Sequence, residues 1–377
     1  MPRRRHLLLL ASLVVVATAA AVTLRPEPGA GTEPLPGHLS DQAFWQMVTS
    51  FSEPGGFFRS DNLISNEIAF QQVIPDLRAR TTPVGAYIGV GPDQNFTYIA
   101  ALEPKIAFIV DIRRQNMLLH LMYKAIIEAS ADRADFLSRL FSRPRPSGLG
   151  AASTAPELLA AYALAPPNAD LFHDNLRRIL DRLRKRHHFT LDDEDARSLE
   201  YVYTAFFTAG PELRYSFPRG YGGRWFPTYA ELMTESDGRG GRHSYLADEA
   251  HFRVLKTMEQ NNLLVPIVGD FAGDKALREV GRYLRAHGAA VTIFYTSNVE
   301  QYLFQSDGWR RFFDNVAALP LDARSTFIRA FFNRGFRFQP SFPDARSATL
   351  TDPIADALAD VKAGRIQTYY DLIDRSK

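Results

Sequence analysis

Helical spacing of apolar residues first shows at residues 41–51, where DQAFWQMVTSF places Phe44, Met47, Val48 and Phe51 on one side. EPGG breaks that segment, and the sequence predicts a short helix from Asn66 and Glu67 to a stop at Pro75. VGAYIGV (residues 84–90) is a short apolar run ending in glycine, a buried-strand pattern. Residues 93–102 read as a helix and IAFIVDI (106–112) as a second strand. The helix after it carries Met117, Leu118, Leu121, Met122, Ala125 and Ile126 on one face. Strand, helix, strand, helix is the order of a parallel sheet.

The alternation then stops. Residues 131–262 are mainly helix-like or irregular, among them a basic run at 181–188 (DRLRKRHH). Thr190 and Asp193 suit a helix start whose apolar stripe is Leu199, Val202, Tyr203 and Phe206. A glycine-rich loop, SDGRGGRHS, precedes a helix predicted over 245–260. Alternation resumes with a strand in LLVPIVGDF (263–271), a helix at 274–288, a strand at 289–298, a helical stretch broken near Gly308, and a strand at 325–332. The predicted fold is α/β, a doubly wound, mostly parallel Rossmann-like sheet in two parts, 41–130 and 263–377, interrupted by a mainly helical insertion at 131–262.

Composition refines this frame. Of 377 residues, 46% are hydrophobic and 23% charged, as in an ordinary globular protein. The net charge is +2, and Arg3, Arg4 and Arg5 supply three of the positives, so the remainder carries −1 and offers no general nucleic-acid surface. The absence of cysteine excludes disulfides, thiolate metal sites and a thiol nucleophile. Those arginines precede an apolar run at 7–22, with A-x-A cleavage sites at Ala17-Thr18-Ala19 and Ala19-Ala20-Ala21. This is the pattern of an export signal, residues 1–24, and Arg4-Arg5 fits a twin-arginine or a general secretory type equally. Residues 25–40, rich in proline and glycine, read as a linker. The expected location is therefore exported, or tethered by an uncleaved N-terminal segment.

The chemistry begins at Gly89-Val90-Gly91, which leaves a predicted strand and opens a predicted helix. Glycines there allow a sharp turn and close approach of backbone N–H groups to a ligand. Asp111 lies 22 residues beyond Gly89 at the end of the next strand, where a carboxylate can accept from both hydroxyls of a ribose. A plain strand–helix turn and a helix cap at Asp111 account for the same residues. A dinucleotide fingerprint would need its third glycine at Gln94.

The later strands add a resemblance. Ile267-Val268-Gly269-Asp270-Phe271 and VTIFYTSN (291–298) resemble the third and fourth strands of class I S-adenosylmethionine-dependent methyltransferases. The resemblance covers 41–130 and 263–332; in that family's glycine motif the acid position is Tyr87 and the third glycine Asp93. It implies that Gly89, Gly91 and Asp111 hold the methionine and ribose parts of S-adenosylmethionine, and that Asp270 and Phe271 meet the adenine. It implies further that Asn62 and Glu67 close the cofactor site. Tyr295, Ser297 and Asn298 would line the reaction centre, with Tyr295 or Asn298 orienting the acceptor. A helix cap is the simpler reading of Asn298.

Other clusters carry less. His187 and His188 near Asp192–Asp195 read as solvated surface rather than a metal site, and no G-x-S-x-G elbow is present. Arg224 and Trp225 in YGGRWFPTY (221–229) are candidates for a substrate wall, a stretch that a packed aromatic loop explains equally. Two functions compete: a methyltransferase with a small-molecule acceptor, and an exported non-catalytic binding protein on the same fold. A nicotinamide-dependent oxidoreductase leaves the G-D-F and T-S-N strands without a role. Export separates the first two, because S-adenosylmethionine is made in the cytoplasm.

Overall fold

The computed structural model describes residues 33–216, 226–332 and 347–376. Helix α1 (Asp41–Phe51) is started by Ser40, whose hydroxyl accepts the Ala43 N–H at 3.1 Å, and it buries Phe44, Met47 and Val48. The next helix, α2 (Ile74–Thr81), corrects the expectation of a stop at Pro75. Proline sits in its first turn, where no N–H is needed, and Asn66 and Glu67 lie in the loop before it.

Among the described residues, six strands form one sheet in the order β3-β2-β1-β4-β5-β6. They are β1 (Ala86–Gly89), β2 (Ile106–Asp111), β3 (Leu264–Val268), β4 (Val291–Ser297), β5 (Leu321–Phe332) and β6 (Ser347–Pro353). The first five run parallel; β6 is antiparallel to β5. Ile88 in β1 pairs with Phe108 on one side and Phe294 on the other. Every residue of β1, β2 and β3 is buried, as a sheet covered on both faces requires. This is a Rossmann-like arrangement whose strand order reverses at β1, between β2 and β4, and ligands of such sheets bind outside the strand ends at that point. β6 and the C-terminal helices α14 (Ile354–Lys362) and α15 (Tyr369–Arg375) were not legible, because SATLTDP shows little apolar alternation.

Helix α3 (Gln94–Leu102) follows β1, and α4 (Arg114–Ala129) follows β2. The path from α4 to β3 then runs through α5 (Arg133–Phe141), α6 (Ala155–Leu164), α7 (Ala169–Asp181), a single π-helical turn (Arg182–Arg186), α8 (Asp193–Ala209), α9 (Tyr229–Thr234) and α10 (Glu249–Gln260). The last begins at Glu249 rather than 245 because the Asp248 carboxylate caps it, taking the His251 N–H at 2.9 Å. Between the remaining strands lie α11 (Ala276–Ala286), α12 (Val299–Gln305) and α13 (Trp309–Ala317), the last two split at Gly308 as predicted.

Residues 33–377 form one compact unit, so the helical segment is an elaboration of the β2–β3 crossover. One arginine ties much of it together. Arg133, 1% exposed, donates from Nε to Glu249 at 2.8 Å and from Nη1 to the carbonyls of Leu246 and Ala247. Its Nη2 donates to the carbonyls of Ala151 and Ser153. All five guanidinium protons are thereby spent on two segments, the start of α10 with the turn before it and the loop before α6. Arg133→Ala is expected to lower stability by about 3–5 kcal/mol, with Arg133→Lys recovering less than half, since a point-like ammonium cannot span those carbonyls. Urea denaturation measures both; a loss below about 1 kcal/mol for the alanine variant contradicts this role.

Candidate functional site

At the switch point the strand ends enclose a cavity of about 120 Å³. It gathers Asn62, Ser65 and Glu67 from the loop before α2, Gly91 from the turn after β1, Asp111 and Arg113 from the end of β2, and Tyr295, Ser297 and Asn298 from β4 and its exit. Phe58, Tyr215, Phe226 and Tyr302 supply aromatic walls. Thus seven of the residues singled out in the sequence, Asn62, Glu67, Gly91, Asp111, Tyr295, Ser297 and Asn298, meet around one space. Three of them have left-handed backbones, Asn62 (φ 47°), Gly91 (φ 77°) and Ser297 (φ 51°). For serine that conformation is uncommon, and such residues concentrate at functional sites.

Glu67 is the polar centre. Its carboxylate is 1% exposed and accepts the Tyr295 hydroxyl at 2.9 Å, the Ser297 hydroxyl, and the Gln94 amide at 2.7 Å. Gln94 in turn accepts from the Ser65 hydroxyl. Burial raises the Glu67 carboxyl above its ordinary value, and the hydrogen bonds from Ser297, Gln94 and Tyr295 partly oppose that. All three donors are neutral. No cation pairs with Glu67 among the described residues.

Asp111 is already engaged. The Arg113 backbone N–H reaches Oδ1 at 2.9 Å, Nε reaches the same oxygen at 3.0 Å, and Nη2 reaches Oδ2 at 3.0 Å. Arg113 Nη1 continues to the carbonyls of Ser60 and Asp61. A carboxylate offers about four acceptor positions, so the two ribose hydroxyls expected from the sequence find one free. Nor does Asp111 cap α4 by itself; Arg113 holds the cap position.

The glycine turn is braced from beneath. A Cβ on Gly89 would strike Asn95 Oδ1 and lie 2.7 Å from the Tyr87 ring, so glycine is required there by the protein's own packing. Tyr87, at the acid position of the methyltransferase pattern, donates to Asn95 Oδ1 at 2.8 Å. The Asn95 amide then holds the carbonyls of Val90 at 2.9 Å and Pro92 at 2.7 Å, and His120 Nε2 holds that of Gly91 at 2.8 Å. Pro92 contributes no N–H to a ligand. Asn95-Phe96-Thr97 fits a glycosylation sequon, but Asn95 is fully buried, which leaves it sterically closed.

Asp270 and Phe271 lie apart from this cavity. Phe271, 3% exposed, packs edge-on against Phe294 at 5.0 Å between ring centres and stacks on Phe312 at 5.8 Å. Asp270 accepts the Ala272 N–H at 2.9 Å in a local turn. The end of β3 is instead held by Glu53, whose carboxylate takes the N–H groups of Lys275 at 2.9 Å and Ala276 at 2.6 Å. Asn298 lines the cavity and occupies the cap position of α12 but makes no side-chain cap bond; its amide nitrogen donates to Gln301 Oε1 and its amide oxygen accepts from the Ser297 hydroxyl, both at 3.5 Å. Arg224 and Trp225 lie outside the described residues. Arg113 and Gln94 were missed in the sequence; the D-x-R spacing and the place of Gln94 at a fingerprint position were the available signals.

A family described as Domain of unknown function (DUF7790) matches residues 63–150 and 160–369. The chain belongs to that family. No curated protein matches it. The matched span holds every described cavity residue from Ser65 onward, and it runs through the helical segment as well as the sheet.

Next to Pro92 of the cavity wall this DUF7790 chain carries another buried carboxyl. Asp93, 1% exposed, accepts the Tyr245 hydroxyl at 3.0 Å, and Tyr245 shares a 2.6 Å hydrogen bond with Tyr229. Burial pushes Asp93 up to about 7 and drives neighbouring His120 down to about 4, so the imidazole is neutral. Between the ordinary carboxylate range and pH 7, folded Asp93 binds more protons than unfolded Asp93, so its contribution to stability falls as pH rises. His120 acts oppositely between about pH 4 and its ordinary value, where the unfolded chain binds the proton. Comparison with Asp93→Asn isolates the first effect: the variant is expected to lose less stability than wild type between pH 5 and pH 7. Parallel pH–stability curves contradict it.

Proposed function

We propose that this chain is a ligand-binding protein on a Rossmann-like frame, taking a small cation in the switch-point cavity. The ligand bears a positively charged nitrogen and seats it against Glu67. The single observation that carries this reading is a buried carboxylate, open to a cavity, whose partners among the described residues are all neutral. An ionised carboxylate removed from water is costly until a counter-charge joins it, and the other charges of the cavity, Asp111 and Arg113, neutralise one another. The aromatic walls support the same reading, since ring faces attract cations. The size of the space limits the ligand to a few heavy atoms, being below the roughly 300–1,000 Å³ of ordinary small-molecule sites.

A second reading has its own support: Gly91, Asp111 and the β4 residues line one cavity at the switch point, as a bound adenosine cofactor would need. An S-adenosylmethionine-dependent methyltransferase would have to displace Arg113 from Asp111 and enlarge the site. The N-terminal pattern of an export signal also favours a binding role, with no cytoplasmic methyl donor at hand.

Calorimetric titration of residues 33–377 with methylammonium, trimethylammonium and choline, beside S-adenosylmethionine and S-adenosylhomocysteine, tests the two together. The expected result is binding of at least one ammonium probe, strengthening as pH rises through the raised Glu67 value and lost in Glu67→Gln. Micromolar binding of either adenosine ligand, on the order of −8 kcal/mol, with none of the ammonium probes, overturns this reading in favour of the methyltransferase one.

A further inference from the structure

The basic run of residues 181–188, with Lys185 and Arg186 exposed, does not continue as regular α-helix. Helix α7 passes into the π-helical turn, closed by the His187 N–H on the Arg182 carbonyl at 3.0 Å. Such turns are rare and recur at functional positions. Arg178, Arg182, Lys185 and Arg186 then border one groove of about 520 Å³, whose opposite wall is Ala125, Ile126 and Ala129 of α4. Arg139 of α5 enters the same groove from a separate element.

Five cations thus converge on a space lined by a single carboxylate, Asp181. That carboxylate is bound to Lys185 at 2.8 Å, in a pair exposed enough to contribute little. Arg182 leans on Glu128 at 3.3 Å and Arg139 on Asp135 at 3.0 Å. Arg178 and Arg186 have no carboxylate partner among the described residues. Like charges one turn apart on a helix repel, at about 0.2–0.5 kcal/mol per pair, a cost that Arg178 and Arg186 add without an ion pair of their own among the described residues. The small side chains Ala125 and Ala129 keep the groove open beside them. A planar guanidinium fork matches the oxygens of a phosphate, and two forks unpaired among the described residues on one wall of the groove are available to donate to it.

We infer that this groove is a second binding site, for a phosphate-bearing anion, with Arg178 and Arg186 as its principal contacts. The phosphate belongs either to a free solute or to a lipid headgroup, and the chemistry of recognition is the same. The groove shares no lining residue with the switch-point cavity, so it stands independently of the reading of Glu67.

The test uses residues 33–377 as wild type, as the double variant Arg178→Glu/Arg186→Glu, and as a control with Arg282→Glu/Arg310→Glu, two exposed arginines away from the groove. Each is titrated with inorganic phosphate and pyrophosphate, and sedimented with vesicles of phosphatidylglycerol or of phosphatidylcholine, at low and moderate salt. Pyrophosphate binding reduced at least tenfold in the groove variant, but less than threefold in the control, establishes the site and a free-anion ligand. Co-sedimentation with phosphatidylglycerol alone, with the same variant pattern, establishes the site and a lipid source. Equal losses in both variants, or no binding to any probe by wild type, overturn the inference. Thermal melting of the variants guards against misfolding, and because neither groove arginine has an ion-pair partner to lose, no drop is expected.

Discussion

A carboxylate buried without a cation partner among the described residues organises this molecule's crevice. Glu67 joins three elements that are distant in sequence: the loop before α2, the first turn of α3 through Gln94, and the end of β4 through Tyr295 and Ser297. Each bond satisfies a polar group that the strand ends would otherwise bury alone. Tyr295 and Ser297 stand two apart on β4 and so present their hydroxyls to the same carboxylate, the serine with a left-handed backbone. The result is a site that is pre-organised yet electrostatically incomplete.

The rest of the switch point shows a Rossmann-like frame with its usual contacts turned inward. Asp111 stands where a ribose-binding acid would, and Arg113 two residues later fills it. The glycine turn is sharp, but its carbonyls are gripped from below by Asn95 and His120, and Pro92 removes an amide. At the end of β3, Phe271 closes the core and Glu53 caps α11. In each case a side chain of the protein takes a position at which the methyltransferase resemblance places part of a nucleotide ligand. Fold alone does not confer function.

Much of the architecture was legible because it rests on apolar runs. VGAYIGV, IAFIVDI, LLVPIVGDF and VTIFYTS are buried on both faces, and burial of that kind leaves a near-continuous signature. The interruption at 131–262 and the break at Gly308 were equally plain. Pro75 misled because proline ends a helix from within but begins one at its first turn, and only the loop's path decides which. β6 escaped because an edge strand with threonine and aspartate carries little hydrophobic pattern. The cavity itself was partly visible: Gly91, Asp111 and the β4 exit were picked out by spacing, and Asn62 and Glu67 by position. What spacing could not reveal was pairing. That Arg113 would fold back on Asp111, or that Phe271 would turn into the core, depends on side-chain direction, which no one-dimensional pattern records.

The most direct measurement is a crystal structure of residues 33–377 grown with the tightest-binding ammonium probe, beside one grown with S-adenosylmethionine. The account predicts density for the ammonium group within hydrogen-bond or ion-pair distance of Glu67, walled by Tyr295 and Tyr302, with the Asp111–Arg113 pair intact in both crystals. Density for an adenosine moiety against Asp111, with Arg113 swung away and Glu67 without a cation, would contradict it.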